Sequence, residues 1–179
     1  MRWNDLSILT GAPGSGKTAI LDTFGGDIRC MGEPAREILA EQRAIGGAGT
    51  HDRDPSLFVG LLLQRSIDKY EAAQDWEGAT VFDRGVPDCI AYATSMGVDP
   101  SPCILASERY RYHGEVLILE PWEEIYAVDE ERRMSFADTI GFHEALVHAY
   151  DQAGYVLVDV PRDSVENRAA FVHDFITRR

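Results

Sequence analysis

Residues 11–18 read Gly11-Ala12-Pro13-Gly14-Ser15-Gly16-Lys17-Thr18, with an apolar run at 6–10 before them and Ala19-Ile20-Leu21 after them. The spacing is that of a Walker A loop, and a strand before it and a helix after it are the setting such a loop needs. Gly11, Gly14 and Gly16 allow the tight backbone bend that aims N–H groups at phosphate oxygens. The helix that follows adds its positive N-terminal end. Lys17 can reach the β- and γ-phosphates, and the Thr18 hydroxyl can hold Mg²⁺. With glycine at about 7% of residues, the pattern arises by chance in roughly one chain in 200 of this length, so an ordinary glycine-rich turn is the weaker reading. Lysine usage agrees. The chain has two lysines, Lys17 and Lys69, against fifteen arginines, and a lysine kept at this position fits a need for a compact ammonium. Residues 11–19, Ala19 included, are expected to bind a nucleoside triphosphate.

The 179 residues suffice for one domain with a sizeable core. A hydrophobic content of 45% and a charged content of 26% are those of a soluble globular protein. The formal net charge of −13 argues against nonspecific nucleic-acid binding, which needs basic surface. Arginines clustered at 109–111 and 132–133 leave room for a local basic cleft. Cys30, Cys89 and Cys103 lack metal-type spacing and read as buried or half-buried free thiols of a reducing compartment. No stretch approaches the ~18–20 apolar residues of a membrane span, and no charged-then-apolar targeting segment opens the chain. The expectation is a cytoplasmic protein, a monomer or a small homo-oligomer.

Five apolar runs, at 6–10, 28–31, 80–82, 115–119 and 155–160, alternate with helical patterns at 17–24, 34–44, 55–75, 86–96, 102–112, 138–153 and 162–178. Such runs predict parallel strands buried on both faces, hence an α/β layered fold with right-handed crossovers. The long helix has Asp54 as its cap and Pro55 in its first turn, and Leu57, Leu61, Ile67 and Tyr70 are expected on one side of it. Nothing marks a domain boundary, so 1–179 reads as one domain. Two polar stretches stand out. The segment 46–53, Gly-Gly-Ala-Gly-Thr-His-Asp-Arg, is either a flexible connector or an edge of a ligand pocket. The segment 123–136 carries Asp129, Glu130, Glu131, Arg132 and Arg133.

Val81-Phe82-Asp83-Arg84-Gly85 closes the third strand. Ligands of parallel sheets bind beyond the carboxyl ends of the strands, which puts Asp83 beside Thr18 as a candidate for Mg²⁺; the alternative is an ordinary turn former. Hydrolytic enzymes often follow this aspartate with a glutamate that activates water. Here the neighbour is Arg84, which cannot act as a base but can clamp a phosphoryl group or an acceptor, unless it is a surface arginine paired with a carboxylate. Glu33-Pro34-Ala35-Arg36 follows strand two. Glu33 is either a general base for an attacking hydroxyl or a helix-start acid favoured by the dipole, and Arg36 can hold a substrate anion. Arg132 and Arg133 can supply charge to a moving phosphoryl group or lie on a solvated face beside Glu130 and Glu131. The five histidines read as surface or core residues, not ligands. Arg36 and the 43–65 segment are expected to frame an acceptor.

With these residues in view, the chain resembles the small P-loop kinases related to nucleoside and nucleotide kinases, and within them the AAA-domain group that includes ribosylnicotinamide-kinase-like proteins. The matching pieces are the loop at 11–18, Glu33-Pro34-Ala35-Arg36, Asp83-Arg84-Gly85, Pro121-Trp122 with Asp129 to Arg133, and Val158-Asp159-Val160-Pro161 before Asn167-Arg168. The resemblance implies a five-stranded parallel sheet in the order 2-3-1-4-5 and a lid segment at about 122–137. It implies that Asp83-Arg84 is the Asp-Arg pair of these kinases, Glu33 their base, Arg132 and Arg133 their lid arginines, and that Pro161 and Arg162 flank the adenine. A guanine-reading Asn-Lys-x-Asp element is missing from the sequence, which favours ATP. The expected catalytic set is Lys17, Glu33, Asp83, Arg84, Arg132 and Arg133. Thr18 and Asp83 face Mg²⁺, and Glu33, Arg36 and Arg84 face a small nucleoside-like or nucleotide-like acceptor. The alternative is a nucleotide-dependent switch or regulatory module with slow ATP or GTP hydrolysis.

Overall fold

All four strand pairings are parallel, so the strands end at one edge of the sheet. The structure is a computed structural model that describes residues 5–126 and 134–178. β1 (Leu6–Gly11), β2 (Ile28–Met31), β3 (Ala79–Asp83), β4 (Glu115–Leu119) and β5 (Val156–Asp159) form one sheet in the order β2-β3-β1-β4-β5. This is the order the resemblance implied. It brings the ends of β1 and β3 together, with Leu9 opposite Asp83, so the phosphate loop and the Asp83-Arg84 turn leave the sheet side by side.

Among the described residues seven α-helices cover the sheet: α1 (Lys17–Leu21), α2 (Pro34–Ile45), α3 (Pro55–Ala73), α4 (Asp88–Ser95), α5 (Ser101–Arg109), α6 (Phe136–Gln152) and α7 (Val165–Thr177). Successive strand residues point to opposite faces, and the two cores divide accordingly. Ile8, Phe82 and Val116 join α2, α3, α4 and α6 on one face. Leu9, Val81 and Leu117 join α1 and α7 on the other. No helix among the described residues is long and apolar enough to cross a membrane.

Several boundaries differ from expectation, each for a local reason. α7 starts at Val165, not 162, because the Ser164 hydroxyl accepts from Asn167 N–H and caps the helix there. α6 starts at Phe136, not 138, because Ser135 and Asp138 form a reciprocal capping box. α5 ends at Arg109, and the chain then runs extended through the core, where Tyr112 is buried. The buried face of α3 is Phe58, Val59, Leu62, Ser66, Tyr70 and Ala73, while Leu57 is exposed. Of the expected face, Tyr70 is buried and Leu61 and Ile67 pack half-buried against the core, so Leu57 alone departs from it. Tyr70 anchors the helix: its hydroxyl donates to the Arg111 carbonyl at 2.8 Å, and its ring packs edge-on against Tyr110 and Tyr112. Cys89 and Cys103 are buried as expected, but Cys30 is exposed because β2 is an edge strand.

Ser135→Ala removes the hydroxyl half of the α6 capping box and is expected to destabilise the fold by about 0.5–2 kcal/mol. A urea denaturation series measures it, and the denaturant dependence should keep its slope.

Candidate functional site

The phosphate loop is held from below by its own lysine and from the side by α7. Lys17 Nζ donates to the carbonyls of Gly11 and Ala12 at 3.1 and 3.2 Å, and the residue is buried. Arg168 Nη1 donates to the Ser15 carbonyl at 3.0 Å. Gly16 has φ +89°, and a Cβ there would lie 3.0 Å from both terminal nitrogens of Arg168. The position therefore needs glycine for its backbone and for the guanidinium beside it. The Arg168 guanidinium lies 5.4 Å from the centre of the Trp122 ring. Burial pulls the Arg168 pKa down, partly offset by Asp163. Thr18 and Ala19 are exposed at the mouth of the loop.

Beside the loop lies a buried chain of alternating charge. Arg84 is 2% exposed. Its Nε donates to Glu33 Oε1 at 2.8 Å, and its Nη1 donates to Asp88 Oδ1 at 3.0 Å. Arg36 Nε donates to the other Glu33 oxygen, Oε2, at 3.1 Å. Asp88 also accepts from the Thr10 hydroxyl at 2.6 Å, from Gly85 N–H at 2.8 Å and from the Tyr150 hydroxyl. Burial alone would lower the Arg84 pKa, but Tyr92, Glu33, Asp88 and Asp83 outweigh it and push the pKa up, so the guanidinium stays charged. Its backbone is left-handed at φ +74°, a conformation that strains a residue with a side chain. Gly85 must follow, because a Cβ there would come within 2.4 Å of Ile8 Cδ1.

Two cavities meet at Glu33 and Arg36. One, of about 280 Å³, includes Thr18, Asp22, Cys30 and Asp83 in its lining. The other, of about 310 Å³, starts at Pro13 of the phosphate loop and is walled by Ala35, Leu39, Phe58, Tyr92, Met96, Met134 and Phe142, with His51 and Asp138 also in the lining. The Thr18 hydroxyl and the Asp83 carboxyl thus share one cleft, as oxygen donors suited to Mg²⁺. Among the described residues no group of three or more His, Cys, Asp or Glu side chains could hold a metal ion. Mg²⁺ at nucleotide phosphates does not need such a group, since it takes one or two side-chain oxygens with phosphate oxygens and water.

The other expected residues fall in several places. Glu33, Arg36, Asp83 and Arg84 come together beside Lys17 and Thr18, although Arg84 is fixed between carboxylates instead of lying on the surface. Pro161 and Arg162 follow β5, and Arg162 donates to Glu120 and to the Pro121 carbonyl. Arg132 and Arg133 lie outside the described residues. The described residues on either side of that stretch meet, since the Tyr126 hydroxyl donates to the Met134 carbonyl and its ring packs on Phe136. Arg65, within the segment expected to frame an acceptor, pairs instead with Glu37 and Glu41 on α2. The 46–53 segment does edge the apolar cavity through His51, and it is tied down by Arg53 on the Gly47 carbonyl and Gln42 on the Gly49 N–H. Sequence reasoning missed Asp88, Tyr150 and the bracing role of Arg168. Arg168 stands among the matching pieces of the resemblance without a role, and Asp88 lies four residues after Arg84.

A sequence model of the AAA domain family matches residues 6–168. No curated protein matches the sequence. Among solved structures the chain is similar to thymidylate kinase from Candida albicans, with TM-score 0.63 and 13% identity over 98% of this chain and 92% of that one. It is similar to NadR protein in complex with NR, with TM-score 0.72 and 16% identity over 99% of this chain and 52% of that one. It is also similar to deoxyadenosine kinase from M. mycoides with dCMP and dCDP bound, with TM-score 0.65 and 13% identity over 97% and 98% of the two chains. These likenesses show a common fold.

Asp88→Ala leaves the buried Arg84 charge one partner short and removes the acceptor for three further donors. Breaking such a pair from one side is expected to destabilise the fold by about 3–5 kcal/mol. Asp88→Asn, which keeps the shape, should lose less. Chemical denaturation of the two variants against the parent measures the difference.

Proposed function

The chain belongs to the AAA domain family, and we propose that it is a Mg²⁺-dependent kinase that moves the γ-phosphoryl group of ATP to a small acceptor of nucleoside or nucleotide type. The observation that carries this reading is the shared wall of the two cavities. Glu33 and Arg36 border both the cleft of Thr18 and Asp83 and the apolar cavity that begins at Pro13. A donor phosphate on the loop and an acceptor in the cavity would then meet across one carboxylate and one guanidinium.

The roles follow from chemistry. Backbone groups of residues 11–19 and the Lys17 ammonium cradle the triphosphate. Thr18 and Asp83 hold Mg²⁺, which supplies charge neutralisation at the phosphate oxygens. Glu33, an acceptor of hydrogen bonds when ionised, takes the proton of an attacking hydroxyl; a phosphate acceptor needs no base. Arg84 acts as a positioning residue, since its contacts run to Glu33 and Asp88. Arg36 stands at the acceptor wall, Arg132 and Arg133 balance charge on the moving phosphoryl group, and Pro161 and Arg162 flank the adenine. Phosphoryl transfer depends on such positioning and charge balance more than on covalent chemistry. An arginine in place of the water-activating glutamate after Asp83 supports transfer over hydrolysis.

A panel of acceptors incubated with the chain, Mg²⁺ and labelled ATP tests the reading. A labelled acceptor at a rate well above basal ATP loss supports it. ATP binding without transfer to any acceptor, together with a partner that binds only the triphosphate form, would replace it with a nucleotide-dependent switch. Glu33→Gln should keep ATP affinity within a few-fold and slow transfer to a hydroxyl acceptor by ~10²–10⁴-fold. Unchanged transfer by that variant removes Glu33 from the chemistry.

A further inference from the structure

We infer that Arg168 is a positioning residue for the triphosphate. Its guanidinium sets the bend of the phosphate loop from α7, and Trp122 sets the guanidinium. This rests on the reading of residues 11–19 as the donor site and extends that site to α7 and to the segment after β4. It does not depend on which acceptor the chain uses.

A loop that holds phosphate through backbone N–H groups works only if its peptide planes face the right way. A trans peptide unit is planar, and its C=O and N–H point in opposite directions. The Ser15 carbonyl accepts from Arg168 Nη1 at 3.0 Å. The N–H of the same peptide unit belongs to Gly16, so it is aimed away from the guanidinium. Lys17 does the same on the other flank of the loop. Its Nζ donates to the Gly11 carbonyl at 3.1 Å, which turns the Ala12 N–H the opposite way. Lys17 has a second task, since it must reach the β- and γ-phosphates. Arg168 acts from outside the loop and can keep its carbonyl while Lys17 is drawn to the ligand.

A long side chain can position a carbonyl only if it is itself held. Arg168 is 4% exposed. Its terminal nitrogens lie against Gly16, where a Cβ would meet both at 3.0 Å. The Trp122 ring centre is 5.4 Å from the guanidinium carbon, within reach of cation–π attraction. Trp122 is placed in turn by the connection between β5 and α7. There Arg162 donates to Glu120 at 3.1 Å and to the Pro121 carbonyl at 2.9 Å. Arg162 and Arg168 together hold residues 120–122, and Arg168 reaches on to the phosphate loop. A nearly buried cation this close to the loop also attracts phosphate with little loss to salt screening. In a chain of net charge −13 that attraction bears directly on affinity.

Calorimetry on the full chain with Mg²⁺ tests this, using a non-hydrolysable ATP analogue and inorganic tripolyphosphate as probes. Arg168→Met, which lacks the donors and the charge, is expected to weaken both probes by tenfold or more. Arg168→Lys keeps an N–H donor for the Ser15 carbonyl and should recover part of that loss. Trp122→Ala should weaken both probes by threefold or more. Added to Arg168→Met it should cost nothing further, because Trp122 acts through Arg168. Arg168→Met within threefold of the parent, with its fold intact by circular dichroism, overturns the inference. So does Arg168→Lys no better than Arg168→Met, or losses that multiply in the double variant. A loss for the ATP analogue without one for tripolyphosphate places the pair at the base and also overturns it. Should Arg168→Met fail to fold, parent-like affinity in Trp122→Ala overturns the inference by itself. A parent chain that binds neither probe overturns the donor-site reading and this inference with it. Failure to transfer phosphate to any acceptor would end the kinase reading and leave this one standing.

Discussion

Arg84 carries a full charge almost out of reach of water, and its pairing fixes the geometry of everything around it. Taking a guanidinium out of water is tolerable only if carboxylates surround it with good geometry. Glu33 and Asp88 do so from the start of α2 and the first turn of α4. To bring its side chain between them, Arg84 accepts a left-handed backbone at φ +74°, a strain of about 1–3 kcal/mol for a residue with a Cβ. The surroundings over-determine it. The Arg84 N–H donates to the Leu9 carbonyl, Gly85 passes within touching distance of Ile8, and the guanidinium is covered by Tyr92 and Phe142.

That chain of charge also joins parts of the molecule that would otherwise meet only through the sheet. Asp88 takes one hydrogen bond from Thr10, the residue just before the phosphate loop, and another from Tyr150 near the end of α6. Glu33 sits between the two cavities and receives Arg84 from one side and Arg36 from the other. The carboxylate proposed to act on the acceptor is therefore held by the same network that holds the start of the loop. A preorganised carboxylate needs little rearrangement when the reaction begins, which is where positioning contributes most to transfer.

The sequence made the donor side readable because its constraints are local. A loop that must bend tightly around phosphate needs glycines and a lysine at fixed spacing, so Gly11 to Thr18 announced itself. The sheet order was legible from resemblance, and the alternation of strands and helices from pattern. The apolar cavity was harder because its residues are brought together by packing. Tyr92, Met96 and Phe142 lie on two helices 50 residues apart in the chain and look like core residues in isolation. Asp88 and Tyr150 meet across 62 positions, a separation no local pattern encodes. The buried face of α3 shows the same limit at smaller scale. Leu57 and Phe58 are both apolar, so the local pattern leaves open which of them enters the core; Phe58 does, packed edge-on against Tyr92 of α4.

The charge of the whole chain sharpens the contrast between the two halves of the site. A protein of net charge −13 repels a triphosphate at long range, so attraction must come from short-range features. The Lys17 ammonium, the loop amides and the start of α1 supply these within a few ångströms, where screening by salt is weakest. Among its described lining residues the apolar cavity has Arg36 as its one arginine. Its arginine is already matched by a carboxylate, and the acidic character of the chain continues to its rim at Asp138. Among the described residues, the lysine ammonium is thus gathered under the loop, while across Glu33 the Arg36 guanidinium is matched by a carboxylate.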